Sequence, residues 1–189
     1  CFSNSEQILN IYLKFKKQIL KLKSNKFLVA VSGGPDSLAL AAMCKAFELD
    51  NAKKKFYYVH INHGIRKNSH EESKKVKKIL KKQFISLKIL NNKKKISSNV
   101  QHNARKLRYL LLNKECKKLK IKFILTGHHK DDQIETFLIR LSRGSGVQGL
   151  SSMSTISLID NQVKIFRPFL SLNKKELIFT SKKIFNNFI

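Results

Sequence analysis

The apolar run Phe27-Leu28-Val29-Ala30-Val31 stops at Ser32-Gly33-Gly34-Pro35-Asp36-Ser37, and a helix-favouring stretch with Leu38, Ala41 and Ala42 follows to Phe47. Few folds accommodate that order. The spacing predicts a buried strand, a tight turn and a helix whose first N–H groups open onto the turn. Two glycines let backbone donors approach an anion, the helix start adds a favourable dipole, and Ser32 and Ser37 add hydroxyl donors. The turn reads as a phosphate cradle. It is neither G-x-x-x-x-G-K-[ST] nor G-x-G-x-x-G, so the common nucleotide fingerprints do not describe it.

The pattern repeats along the chain. Phe56 to Ile61, Ile85 to Leu90 and Phe123 to Leu125 read as further strands, with helices between them. Ser69 with Glu72, and Ser98 with Gln101, are capping-box signatures for two of those helices. The second helix is expected to turn Val100, Ala104, Leu107 and Leu111 inward. Thr155 to Ile159 and Val163 to Phe166 read as two late strands, Pro168 follows, and a last helix begins near Asn173. Alternation of this kind specifies an α/β fold, a doubly wound parallel sheet with helices on both faces and ligands outside the carboxyl ends of the strands. Residues 1–24, with Ile8, Tyr12, Phe15, Ile19 and Leu22 at helical spacing, read as an amphipathic helix ahead of a main domain, 25–189.

Composition narrows the partners. With 39 Lys and Arg against 12 Asp and Glu, the formal charge is +27, which favours a polyanion such as nucleic acid. Hydrophobic residues at 42% with only 7 Gly and 2 Pro exclude a disordered or collagen-like chain. Cys1, Cys44 and Cys116 form no C-x-x-C pair, which argues against a disulfide framework or zinc knuckle and fits a reducing, cytoplasmic setting. The most apolar stretch is broken by Gly33, Gly34, Pro35 and Asp36, so no membrane span is expected. The chain opens on Cys1 in place of Met, as a fragment would.

Acids are scarce, yet Asp36, Asp131, Asp132 and Glu135 all fall in the loops where ligands are expected. A carboxylate beside a phosphate site repels its ligand unless a cation intervenes, so Asp36 and Asp132 are the candidate Mg²⁺ ligands. Helix capping alone accounts for Asp131 or Asp132 but not for the group. His128 and His129 have no partner at zinc-ligand spacing. Arg105 and Arg108 lie three apart on one helical face, placed to meet phosphates or a base. His63 and Arg66 follow the second strand and read as an active-site wall, whereas His60 reads as structural.

V-A-V-S-G-G-P-D-S resembles the PP-loop of the N-type ATP pyrophosphatases. His63-Gly64-Ile65-Arg66, Ala104-Arg105 with Arg108-Tyr109, Gly127-His128-His129-Lys130-Asp131-Asp132-Gln133-Ile134-Glu135-Thr136, Arg143-Gly144-Ser145-Gly146, Gly149-Leu150 and Arg167-Pro168 follow in order. Together they resemble the tRNA(Ile)-lysidine synthetase family from about Phe27 to the end of the chain. The resemblance implies ATP and Mg²⁺ as cofactors, and L-lysine and the CAU-anticodon isoleucine tRNA as substrates. Lysine is joined to carbon 2 of the wobble cytidine through an adenylated tRNA, with release of pyrophosphate and AMP. It implies that Ser32, Gly33, Gly34, Pro35, Asp36, Ser37, His63, Arg143 and Gly144 meet ATP, and that Asp36, Asp131, Asp132, Glu135 and Arg105 serve catalysis. Arg66, Arg108 and His128 are then left for tRNA. Family members continue beyond Ile189 with a tRNA-gripping region, so the chain reads as a catalytic core. The alternatives are another PP-loop tRNA enzyme, such as a 2-thiocytidine synthetase, which uses paired C-x-x-C cysteines, or a non-catalytic ATP- and RNA-binding remnant.

Overall fold

The computed structural model describes residues 2–65, 68–92, 99–144, 152–186 and 188. Six helices and six strands run in the order α1 (Phe2–Ile19), β1 (Lys26–Ala30), α2 (Pro35–Asp50), β2 (Lys55–Asn62), α3 (Ser69–Lys81), β3 (Leu87–Asn91), α4 (Val100–Leu119), β4 (Phe123–Leu125), α5 (Lys130–Ser142), β5 (Ile156–Leu158), β6 (Lys164–Phe166) and α6 (Lys174–Phe185). The strands form one sheet in the order β3-β2-β1-β4-β6-β5. All pairings are parallel except that of β5, which runs antiparallel along the edge beside β6. The sequence reading of a parallel sheet is corrected at that one strand: three residues separate the expected strands 155–159 and 163–166, and so short a connection can only return the chain as a hairpin.

The chain builds outward from β1 to β3 and then places β4 on the other side of β1. Loops after β1 and β4 therefore leave the sheet in opposite directions and open a crevice between them. Alternation within β1 sends Phe27 and Val29 to one face and Leu28 to the other. On the first face α1, α2, α3 and α6 share one core. Phe15 meets Phe47 edge-on with centroids 6.1 Å apart, and Phe27 stacks on Phe56 at 5.1 Å. Burying each such ring contributes about 1.5–3 kcal/mol. On the second face Leu112 and Cys116 of α4 cover Leu28, Val59, Ile61 and Ile124.

Several local expectations change. In α1 the buried residues are Ile11, Phe15 and Ile19, while Ile8 and Tyr12 lie at the margin, and the helix packs into the core of the same domain. Ser69 is the first helical residue of α3 and Asn68 its N-cap, so the Ser69–Glu72 capping box does not form. The Ser98 half of the other box lies outside the described residues, and α4 starts from Asn99 in a left-handed conformation. Of the expected inward residues Ala104 is buried and Leu107 and Leu111 are half-buried, Leu111 against the second core, whereas the deepest positions are Leu112, Glu115 and Cys116 and Val100 is 38% exposed. The helix is rolled because its first turns border an open cleft, leaving only its later turns to cover the sheet.

Candidate functional site

The cleft, of about 770 Å³, lies over the carboxyl ends of β1, β2 and β4, within the usual size of small-molecule sites. Its floor is the loop after β1. Gly33 takes a φ of 101°, which a side chain would oppose. The Ser37 hydroxyl organises the turn: its oxygen accepts the N–H groups of Ser32 and Gly33, each at 3.1 Å, and the Ser32 hydroxyl at 3.0 Å, while it donates to the Gly34 carbonyl at 2.9 Å. The expected anion cradle is thus held open by Ser37, whose hydroxyl is a brace here and not a free donor. Pro35 starts α2 and presents Asp36 in its first turn.

The opposite lip comes from the loop after β4. Gly127 sits so close to α2 that an added Cβ would stand 2.8 Å from the Asp36 carbonyl oxygen. His129 follows as the N-cap of α5, its own N–H donating to Asp132 Oδ2 at 2.9 Å. That imidazole is 3% exposed, and its Nε2 lies 3.6 Å from Asp36 Oδ2 and 3.5 Å from Asp132 Oδ2. One buried ring therefore joins the carboxylates of two helices. Burial raises the Asp36 carboxyl above its ordinary value; His129 and Lys174 pull it down, and Asp132 pushes it up. Asp36 Oδ1 is buried without a hydrogen-bond partner among the described residues. A hard divalent cation suits that orphaned oxygen and its neighbour Asp132.

His128 occupies the cleft wall with Nδ1 2.8 Å from the Thr126 hydroxyl. Burial and nearby Arg167 lower its pKa to about 4, so the ring is neutral at physiological pH. Across the cleft, the α4 residues Arg105, Arg108 and Tyr109 rise beside Ile61, Ile65 and Leu112. Arg105 lies over the Tyr109 ring at 5.5 Å, and Arg108 donates from Nε and Nη2 to His63 Nε2, both at 3.3 Å. His60 is buried, with Nδ1 on the Val31 carbonyl at 2.8 Å and Nε2 near Ser73, a structural role as expected.

The structure thus brings Ser32, Asp36, Ser37, His63, Arg105, Arg108, His128 and Asp132 onto one cleft. Gly33, Gly34 and Pro35 shape its floor. Asp131 and Glu135 are exposed on α5 and are not among its lining residues. Arg143 and Gly144 end α5, roughly 21 Å along the axis from His129, so the geometry does not bring them to the phosphate loop. Arg66 and the rest of the R-G-S-G motif, Ser145-Gly146, lie outside the described residues, as do Gly149 and Leu150. The sequence reading passed over Thr126, Lys174 and the bridging position of His129. Only His129 had a local signal, its place three residues before Asp132 at a helix start. Arg167 is buried and reaches the edge strand, donating from Nη1 to the Ser154 carbonyl and the Ser157 hydroxyl, each at 2.9 Å.

Similarity to known proteins agrees with this fold. The tRNA(Ile)-lysidine synthase of Wolbachia pipientis wMel is 42% identical over 156 residues, covering 82% of this chain and 36% of that protein. Those of Buchnera aphidicola and Lactobacillus gasseri are 41% and 31% identical over 173 residues, covering 38% and 39% of their lengths. The chain therefore spans well under half of these relatives. Among solved structures, the U34-tRNA thiolase NcsA of Methanococcus maripaludis superposes with a TM-score of 0.78 at 21% identity, over 95% of this chain and 65% of that one. The NH3-dependent NAD synthetase of Campylobacter jejuni gives 0.58 at 16% identity, over 95% of this chain and 72% of that one. Residues 7–188 match the PP-loop domain family, and the chain belongs to that family.

Proposed function

We propose that this chain is the ATP-using part of a tRNA(Ile)-lysidine synthase, joining lysine to carbon 2 of the wobble cytidine in a CAU-anticodon isoleucine tRNA. The observation that carries the reading is the convergence of Asp36 and Asp132 on His129 beside the Ser32–Ser37 loop, in a chain 31–42% identical to proteins of that name. In the first half-reaction the cytosine carbonyl oxygen attacks the α-phosphorus of ATP and pyrophosphate leaves. In the second, an amine of lysine bonds to carbon 2 and the carbon–oxygen bond to AMP breaks.

The residues divide the work. The Ser32–Ser37 loop and the α2 N-terminus receive the phosphates. Asp36 and Asp132 would hold Mg²⁺, which when bound neutralises phosphate charge. Neutral His128 offers a hydrogen bond without adding charge, and Arg105 and Arg108 face the reacting nucleotide. Asp131 and Glu135, exposed on α5, attract the lysine ammonium, and Arg66, Arg143 and Gly144 are left for tRNA. No described helix is long and apolar enough to cross a membrane, and buried, reduced Cys44 and Cys116 suit cytoplasmic chemistry.

Sulfur delivery is the competing reading, and the thiols speak against it. Cys44 and Cys116 are fully buried in separate cores on opposite faces of the sheet. Burial pushes the Cys116 thiol up to about 12, away from the thiolate that cluster or sulfur chemistry needs. The test is ATP-dependent transfer of labelled lysine to a CAU-anticodon isoleucine tRNA transcript, with the methionine tRNA and Asp36→Ala as controls. Transfer to the first RNA only, lost in Asp36→Ala with RNA still bound, is expected. RNA-dependent pyrophosphate release without lysine transfer would replace lysine by another acceptor, and neither product would leave a binding module.

A further inference from the structure

His63 was expected to touch ATP, yet its one described side-chain contact is with Arg108. A ring nitrogen that accepts two guanidinium N–H groups carries its lone pair, so the imidazole proton belongs on Nδ1. A cationic His63 would repel Arg108. Three features keep it neutral: burial, the Arg108 charge on α4 and His60 on its own strand, which together lower its pKa to about 4.

The backbone beneath it is also fixed. Asn62, 3% exposed at the end of β2, donates from Nδ2 to Asn91 Oδ1 at 3.2 Å, across the strand pairing, and accepts the Gly64 N–H at 3.0 Å. Asn92 Nδ2 donates to the His63 carbonyl at 3.3 Å. These asparagines anchor the ring support to the sheet. The bond to His63 uses the Nε edge of Arg108, leaving Nη1 for an oxygen acceptor in the cleft. Arg105, three residues earlier, lies against Tyr109 instead. Ile61, Ile65, Leu112 and Tyr109 line the cleft beside Arg108 together with Arg105 and Glu72, and this wall stands over β2, one strand from the phosphate loop after β1. Apolar and aromatic side chains beside a guanidinium suit a base.

We infer that His63 is a positioning residue which, as a neutral acceptor, aims the Arg108 guanidinium at a carbonyl or phosphate oxygen of the RNA nucleotide. The inference rests on the proposed tRNA reaction for the identity of the ligand, but the His63–Arg108 pair is testable without it. Heteronuclear NMR of the imidazoles in the whole chain is expected to show the His63 Nδ1–H tautomer, with a titration well below that of a free histidine. In Arg108→Ala that titration is expected to move upward. An Nε2–H tautomer, or a titration that Arg108→Ala leaves in place, overturns the pairing.

Kinetics then test the role. His63→Ala is expected to raise the KM for RNA about tenfold with the KM for ATP unchanged. His63→Gln, whose Oε1 can replace Nε2 as acceptor, is expected to recover most of the loss, and His63→Asn, which is shorter, is not. Adding His63→Ala to Arg108→Ala is expected to cost nothing more, because the pair acts as one unit. Multiplying effects in the double variant, or a His63→Gln variant as weak as His63→Ala, overturn the inference. A change in the ATP KM alone moves the acceptor oxygen to the nucleotide and overturns the RNA assignment. If the native chain transfers no lysine, the tRNA reading fails by itself, while the NMR result and RNA binding by the same variants still decide the pair.

Discussion

Helices α2 and α5 both begin at the cleft and both present an aspartate in the first turn, yet they are held in opposite ways. α2 buries Ser37 through Cys44 and Phe47 in the main core. α5 buries nothing: Ile134, Phe137, Leu138, Ile139 and Leu141 are each 41–55% exposed. Among the described residues α5 is tied down at its first turn, where the Lys130 N–H donates to the Leu172 carbonyl at 2.9 Å and Gln133 Nε2 to the Leu170 carbonyl at 3.1 Å. One carboxylate thus rides on a helix packed along its length, the other on a helix pinned at one end. The pinned end is the one bearing Asp132 and His129, so the chemistry is fixed even where the helix is not packed.

Substitutions can break this contrast. Phe47→Ala on α2 is expected to cost about 3–5 kcal/mol, as cavities under large buried rings do, read as a drop in the denaturation midpoint. Gly127→Ala attacks the seam between the two helices, where the added Cβ meets backbone 2.8–3.1 Å away that cannot rotate aside. A loss of about 1–3 kcal/mol is expected, with ATP-dependent pyrophosphate release lost alongside. An unchanged midpoint and rate would show that the seam yields.

Acid sharpens the comparison from another side. The His128 pKa is about 4 in the fold against 6.5 when unperturbed. As pH falls through 6.5 the unfolded chain binds protons that the folded chain refuses until about 4, so stability is lost across that window and levels off below it. Up to about 3 kcal/mol is expected from this residue, and His128→Asn should lessen the slope of the stability profile between pH 7 and 4, with His63 supplying part of what remains. The smallest effect belongs to α5: Leu138→Ala is expected to stay within about 0.5 kcal/mol, and hydrogen exchange should release α5 amides well before those of α2. Equal protection of both helices would contradict the description of α5 as pinned at one end.

Much of this was legible in the chain. The β1 run, the Gly33-Gly34 turn and the Asp131-Asp132 helix start are local signals: period, turn chemistry and capping each act over a few residues. Phe27 and Val29 were readable as core for the same reason. The rolled face of α4 and the brace made by Ser37 were not, because each depends on what lies opposite in space; the antiparallel β5 was legible in the short 160–162 connection and was passed over there. Arg143 shows the limit most clearly, since its motif placed it near ATP while a helix of 13 residues carries it away.

The sequence by itself determined which loops would hold the site, since apolar runs, glycines and capping residues dictate where strands end and helices begin. Tertiary structure alone decided which side chains meet within those loops. His129 stands between Asp36 and Asp132, and His63 under Arg108, because parallel pairing sets the strands' carboxyl ends side by side, bringing residues 45 to 93 positions apart into contact. No local pattern encodes that distance; only the register of the sheet and the burial it imposes do.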